Sequence, residues 1–136
     1  MQTEYCSSVF IIDEKRQKVL LIYHKKYQNW VQPGGRLKTG EKPEDGAIRK
    51  ALEETGIKIK LVNTHPFMVE EYNNFNGHFI DYQFLATPID DLQEPVLNEQ
   101  KCYAIDWFSL DELNSIPLFP DVKTKVRMFL KPHFNH

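Results

Sequence analysis

Apolar residues fall in short runs between polar breaks, and most runs have the length and composition of strands. Cys6 to Ile12 is β-branched and aromatic and predicts a first strand. Asp13 to Lys18 is polar and predicts a hairpin turn. Val19-Leu20-Leu21-Ile22-Tyr23 is apolar throughout, as expected of a strand buried on both faces. After a basic connection, His24 to Asn29, the segment Trp30-Val31-Gln32 predicts a short strand that Pro33-Gly34-Gly35 breaks. Ile57 to Val62, Pro66 to Tyr72, Phe79 to Thr87 and Cys102 to Phe108 predict further strands, with Asn73 to Gly77 as a hairpin loop and Pro88 to Gln100 as a long acidic connection.

One helix stands out, from Pro43 to Thr55. Proline suits the first helical position, where a missing N–H costs nothing. Glu44 and Asp45 meet the positive end of the helix dipole, and Gly56 can take the left-handed conformation that closes a last turn. Ser109-Leu110-Asp111-Glu112 has the spacing of a capping box and predicts a short helix over Leu110 to Asn114. Val122, Val126, Phe129 and Leu130 mark a last helix over Val122 to Leu130. Strands mixed with a few helices predict an α/β or α+β sandwich around one sheet.

Composition narrows the setting. A chain of 136 residues is enough for one domain with a real core, so one domain over residues 1–136 is expected. A formal net charge of -2 gives no broad footprint for nucleic acid or a membrane, so any phosphate binding must be local. Cys6 and Cys102 lack metal-ligand spacing and read as small buried hydrophobes in a reducing compartment. The N-terminus lacks a leader pattern and no apolar stretch approaches about 18 residues. A cytoplasmic protein without membrane contact or stable nucleic-acid binding is expected; a homodimer is compatible with the sequence.

The chemistry gathers between Gly34 and Ile57. Gly34-Gly35 can leave backbone amides unshielded and permits positive φ, which would bring N–H groups to a phosphate. In the helix, Glu53 and Glu54 lie about 100° apart, Lys50 projects between them one turn earlier and Gly46 lies on the same side. Ile48, Ala51 and Leu52 are the expected core-facing stripe. A helix-interior glycine costs about 1 kcal/mol relative to alanine, so Gly46 signals a close approach. Paired carboxylates beside a glycine pair suit Mg²⁺, which is commonly held by a few carboxylates plus substrate phosphates. Taken alone, adjacent glutamates on a helix are more often just its solvated face.

The stretch Gly35-x5-Glu41-x7-Arg49-Lys50-Ala51-x-Glu53-Glu54-x-Gly56-Ile57 resembles the Nudix box, Gly-x5-Glu-x7-Arg-Glu-U-x-Glu-Glu-x-Gly-U, where U is bulky and aliphatic. Six polar or glycine positions match, a coincidence on the order of one in ten million per starting position at ordinary residue frequencies. Gln32-Pro33-Gly34-Gly35 looks like the family's entry to the box, and Trp107 to Leu113 resembles its late strand-to-helix segment. The resemblance implies a Nudix α/β/α sandwich around a mixed β-sheet. It also implies a pyrophosphohydrolase in which water attacks a nucleotide-like diphosphate. Glu53, Glu54 and Gly35 would hold Mg²⁺ or Mn²⁺; Gly34, Gly35 and Lys50 would face the substrate. Arg49 would orient the carboxylates, with Glu41 as its partner. The leaving group, whether triphosphate, sugar or dinucleotide, stays open.

Two positions depart from the pattern. Ala51 replaces a bulky aliphatic residue. Lys50 replaces a glutamate that serves several relatives as base or metal ligand. Three readings follow: the base lies elsewhere, among Glu54, Glu70, Glu71, Asp81 and Glu99; Lys50 contacts phosphate in place of a metal charge; or hydrolysis is lost and the domain only binds nucleotides or a nucleotide-derived ligand. Asp81 and Gln83 alternate on one strand face with Phe79 and Leu85, so that carboxylate could face a cleft. His24-Lys25-Lys26 is a second candidate for phosphate contact, and Trp30, Phe67, Tyr72, Phe75 and Tyr103 are candidates for stacking on a base. His65, His78, His133 and His136 have no zinc spacing.

Overall fold

A computed structural model describes residues 2–134. Eight strands form one mixed sheet: β1 (Thr3–Asp13), β2 (Lys18–His24), β3 (Asn29–Val31), β4 (Gly34–Arg36), β5 (Ile59–Leu61), β6 (Met68–Asn74), β7 (Gly77–Pro88) and β8 (Cys102–Ser109). Two helical elements cover its faces: α1 (Pro43–Thr55) on one, and on the other a C-terminal segment of α2 (Val122–Lys125) running into a π turn, Val126–Leu130. The result is an α/β sandwich around a mixed sheet.

β1 and β7 are the spine. They run parallel in register from Thr3↔His78 to Ile11↔Ala86. β1 pairs with β4 through Cys6–Ser8 and with β2 through Ile11–Asp13, while β7 pairs with β6 and then with β5. Side-chain alternation along the spine then makes two cores. Val9, Ile11, Phe84 and Ala86 pack with Ala47 and Ala51 of α1. Phe10, Ile12 and Leu85 pack with Val122, Val126 and Leu130 of the C-terminal segment.

Local signals set the ends of α1 as expected. Pro43 occupies the first turn, and Gly56 takes φ 72° and donates its N–H to the Leu52 carbonyl at 3.0 Å. The Ser109–Glu112 box also forms. The Ser109 N–H donates to Glu112 Oε1 at 2.9 Å and the Glu112 N–H to Ser109 Oγ at 3.2 Å, though the turn it starts is a 3₁₀ helix over Glu112–Ser115. The last helix carries Val122, Val126 and Leu130 inward as its spacing predicts, but it widens into a π turn after Lys125.

Three expectations need correction. The stripe of α1 that meets the sheet is Ala47, Ala51, Lys50 and Glu54, whereas Ile48 and Leu52 are 39% and 47% exposed. Two alanines let the helix approach the sheet closely, and the polar pair beside them is met by Glu53 on the same helix and by the Gly34 N–H of β4. Gly34-Gly35 is not a loop with positive φ. It opens β4, and neither glycine has φ > 0. The strand expected over Ile57–Val62 keeps its ladder only at Ile59–Leu61.

Gly34 is needed for close approach. A Cβ there would stand 2.6 Å from Ser8 Cβ and 2.8 Å from the Ser7 carbonyl oxygen, both on the spine. At Gly35 it would meet only the end of the Lys50 side chain, 2.5 Å from Cε. Gly34→Ala is therefore expected to destabilise the fold by about 1–3 kcal/mol in urea unfolding, and Gly35→Ala by clearly less, because Lys50 can move. Equal costs at the two positions would contradict this packing.

Candidate active site

Arg49 organises the outer face of α1. Its Nε and Nη2 donate to Glu41 Oε2 and Oε1 at 2.8 and 2.9 Å, its Nη1 to Glu53 Oε1 at 2.8 Å, and Nη2 also to the Arg36 carbonyl at 3.1 Å. This fork holds the loop before α1, the end of β4 and the carboxylate of Glu53 in one arrangement. The Lys38 N–H donates to Glu41 Oε1 at 3.0 Å as well. The Arg49 hydrogen bonds, with the Lys38 N–H, hold the Glu41 carboxyl down to about 2; the same guanidinium keeps Glu53 below its usual range. Gly46 serves this loop: a Cβ there would come within 2.1 Å of Leu37 Cδ2.

Glu54 is set differently. It is 2% exposed, and its Oε1 accepts the Gly34 N–H at 2.8 Å. Burial pushes its pKa up, while the Gly34 amide, Lys50 and Lys101 pull the other way. The Gly34 amide is thus engaged inside the protein, so the expectation that this N–H meets a phosphate is corrected. Lys50 is 8% exposed, lies along Gly35, and brings Nζ to 3.4 Å from Glu53 Oε2.

The structure therefore gathers Gly34, Gly35, Glu41, Arg49, Lys50, Glu53 and Glu54. It separates the remaining candidates for a base. Glu71 is exposed and pairs with His78 at 2.9 Å. Glu99 belongs to a loop that reaches α1: Asn98 Nδ2 donates to the Glu53 carbonyl at 3.3 Å, and Lys25 Nζ donates to the Glu99 carbonyl. Asp81 and Glu70 sit in a buried polar cluster with Ser8, Gln83 and Lys125 on the opposite face of the spine. Lys125 is the residue sequence reasoning missed; its signal is a charge among the apolar positions of the last helix.

Most of the aromatic candidates have structural partners. Trp30 packs edge-on against Phe108, Phe67 against Phe10 and Phe129, and Tyr72 stacks on Phe79. Phe75 is fully exposed and Tyr103 packs on Tyr23. Both cysteines are buried free thiols, each pushed up to about 11 chiefly by desolvation. His136 lies outside the described residues. Two surface clefts of about 220 and 530 Å³ near Lys15 and Arg16 share no lining residue with the carboxylate site.

Among the described residues, no three His, Cys, Asp or Glu side chains converge as a metal cage. Two carboxylates and nearby backbone carbonyls are what remain. That donor set fits a hard divalent ion whose coordination is completed by the phosphates of a substrate. It does not fit an ion held by protein side chains alone. No helix among the described residues is long and apolar enough to cross a membrane.

With this geometry in hand, comparison with known proteins identifies the family. The NUDIX domain model matches residues 4–130, and the chain belongs to that family. An uncharacterized Nudix hydrolase of Bacillus subtilis, YvcI, is 27% identical over 106 residues, covering 76% of this chain and 65% of that protein. A putative 8-oxo-dGTP diphosphatase of the same organism is 34% identical over 88 residues, covering 60% and 59%. The chain spans less than two thirds of the length of either relative. A NUDIX-family hydrolase from Clostridium perfringens shares the fold at a TM-score of 0.83 and 24% identity, covering 97% and 99% of the two chains.

Burial pushes the Asp81 carboxyl from 3.8 up to about 6, against the pull of the Ser8 hydroxyl and Lys125. A carboxyl raised by folding favours the folded state while protonated. That contribution is complete below about 3.8 and is lost as pH rises through about 6. Asp81→Asn, neutral at every pH, is therefore expected to be more stable than the parent above about pH 7, by on the order of 2 kcal/mol. The gain should vanish below about pH 4 in urea unfolding across that range. An Asn variant less stable than the parent at the alkaline end would contradict the assignment.

Proposed function

We propose that this protein is a metal-dependent hydrolase of a nucleoside diphosphate linked to another group: a nucleoside triphosphate, a nucleotide sugar or a dinucleotide. The observation that carries this reading is the fixed pair Glu53 and Glu54. Arg49 holds one and the Gly34 N–H holds the other, both at 2.8 Å, beside the glycines of β4. The names of two relatives, a putative 8-oxo-dGTP diphosphatase and a diphosphoinositol polyphosphate phosphohydrolase, support hydrolysis of a diphosphate, and the first also a nucleotide substrate. A cytoplasmic setting fits the two free cysteines.

Glu53, Glu54 and the Gly35 carbonyl are the residues that would hold Mg²⁺ or Mn²⁺. When bound, the ion neutralises charge on the phosphorus oxygens and acidifies water. The protein's part is positioning. Arg49 fixes Glu53, and Glu41 fixes Arg49. The Lys50 side chain lies over Gly35, which places its Nζ beside β4 to meet the charge of a phosphate. Glu54, pushed up from its usual value by burial, is the carboxylate this reading assigns as base.

One observation favours a second reading. Lys50 Nζ lies 3.4 Å from Glu53 Oε2 and against Gly35, in the space a divalent ion would share. A resident ammonium there suits a domain that binds a nucleotide-like ligand without cleaving it.

The test is turnover of a mixed panel of nucleoside triphosphates, nucleotide sugars and dinucleotides with Mg²⁺ or Mn²⁺, followed by chromatography. The parent is expected to turn over at least one class. The Glu53→Gln, Glu54→Gln double variant should lose on the order of 100-fold or more. A silent parent that nucleotides stabilise equally well in EDTA, with activity gained in Lys50→Glu, would replace hydrolysis with binding.

A further inference from the structure

Lys50 carries a charge on the face of α1 that meets the sheet, where it is 8% exposed. Its end lies on β4: a Cβ at Gly35 would stand 2.5 Å from Lys50 Cε and 2.8 Å from Nζ. The bare backbone of Gly35 thus leaves the space that the lysine end fills. From there Nζ reaches to 3.4 Å from Glu53 Oε2, and its charge helps to pull down the pKa of Glu54. One ammonium therefore stands among Gly35, Glu53 and Glu54, the three residues that the hydrolase reading assigns to a divalent ion.

The carboxylate oxygens around it are nearly all engaged. Glu53 Oε1 accepts from Arg49 Nη1 at 2.8 Å, Glu53 Oε2 faces Lys50, and Glu54 Oε1 accepts the Gly34 N–H at 2.8 Å. An ion that binds Glu53 through Oε2 meets the ammonium there, and two cations on one oxygen repel. One of them must leave.

The two protein cations differ in how firmly they are held. Arg49 makes four hydrogen bonds of 2.8 to 3.1 Å and is built into the fold. Lys50 has three donors to place. Among the described residues Glu53 is the one carboxylate within reach of them, at a distance longer than a strong charge-assisted hydrogen bond. A buried ammonium so loosely met is costly to keep. Its flexible four-carbon stem lets Nζ move without any change in the helix. The oxygens of a diphosphate, acceptors that carry negative charge, would hold it better than Glu53 does.

We propose that Lys50 is a latch on the metal site: its ammonium takes the place of a divalent ion at Glu53 until a diphosphate draws it away, so that the diphosphate binds first and the ion second. This rests on the hydrolase reading for the assignment of Glu53, Glu54 and Gly35 to the ion. The latch makes the binding of ion and diphosphate cooperative through a side chain of this protein, in addition to any contact between the two ligands. By linkage the effect is reciprocal: each ligand raises the affinity for the other. It also gives the lysine a place in a working hydrolase, as a cation handed from a carboxylate to the substrate.

Electron paramagnetic resonance of free Mn²⁺ tests this on the parent, Lys50→Met and Lys101→Met. Lys101 is the control, an exposed lysine whose charge also bears on Glu54. With Mn²⁺ alone, Lys50→Met is expected to bind at least about 10-fold more tightly than the parent, and Lys101→Met within about 3-fold of it. Methylenediphosphonate should tighten Mn²⁺ binding to the parent, beyond what it holds in free solution, and do so clearly less for Lys50→Met. Urea unfolding should show Lys50→Met at least as stable as the parent, which separates the latch from a damaged fold. Mn²⁺ binding alone to the parent as tightly as to Lys50→Met overturns the latch and leaves the hydrolase reading standing. An equal gain in Lys101→Met also overturns it, because the general field of the protein then explains the effect. Mn²⁺ binding to none of the three proteins, with or without the diphosphonate, removes the hydrolase reading and the latch with it.

Discussion

The hydrogen bond from the Gly34 N–H to Glu54 is the constraint around which the site is arranged. A carboxylate 2% exposed is costly to keep unless its charge is met, and here a backbone amide meets it at 2.8 Å. The contact ties the last turn of α1 to β4. It requires α1 to lie low on the sheet, which the small Ala47 and Ala51 permit, and β4 to press against β1, which the missing side chain of Gly34 permits. Ala51, where the family pattern has a bulky aliphatic residue, is part of this close approach. Arg49 then works from the other side of the helix. By holding Glu41, Glu53 and the Arg36 carbonyl together, it sets the second carboxylate relative to the first.

What the sequence revealed follows how local each signal is. The ends of α1 were legible because Pro43, Glu44, Asp45 and Gly56 act within a turn of themselves, and the Ser109–Glu112 box for the same reason. The family was legible because six residues at fixed spacing are rarely coincident. The buried face of α1 was not, since hydrophobicity points to Ile48 and Leu52. Only the partners of Lys50 and Glu54, on β4 and on the helix itself, make the polar face the inner one. Gly34-Gly35 read as a loop because nothing local says that Cys6–Ser8 waits to pair with it. Lys125 was hidden because its partner, Glu70, is 55 residues away.

Charge explains the remaining architecture. Glu41 and Glu53 are held ionised by Arg49, whereas Glu54 and Asp81 are pushed towards their protonated forms by burial. The fold thus holds carboxylates of two kinds, those kept ionised by Arg49 and those desolvated by burial.

The central claim is that Glu53 and Glu54 bind a divalent ion in company with a diphosphate, since the protein alone supplies too few ligands. Electron paramagnetic resonance of free Mn²⁺ tests it most directly. The account predicts that the free-ion signal falls when protein and methylenediphosphonate are both present, well beyond the effect of either alone, and that Glu54→Gln restores it. Equal Mn²⁺ binding by the parent and Glu54→Gln, or binding that ignores the diphosphonate, would contradict it.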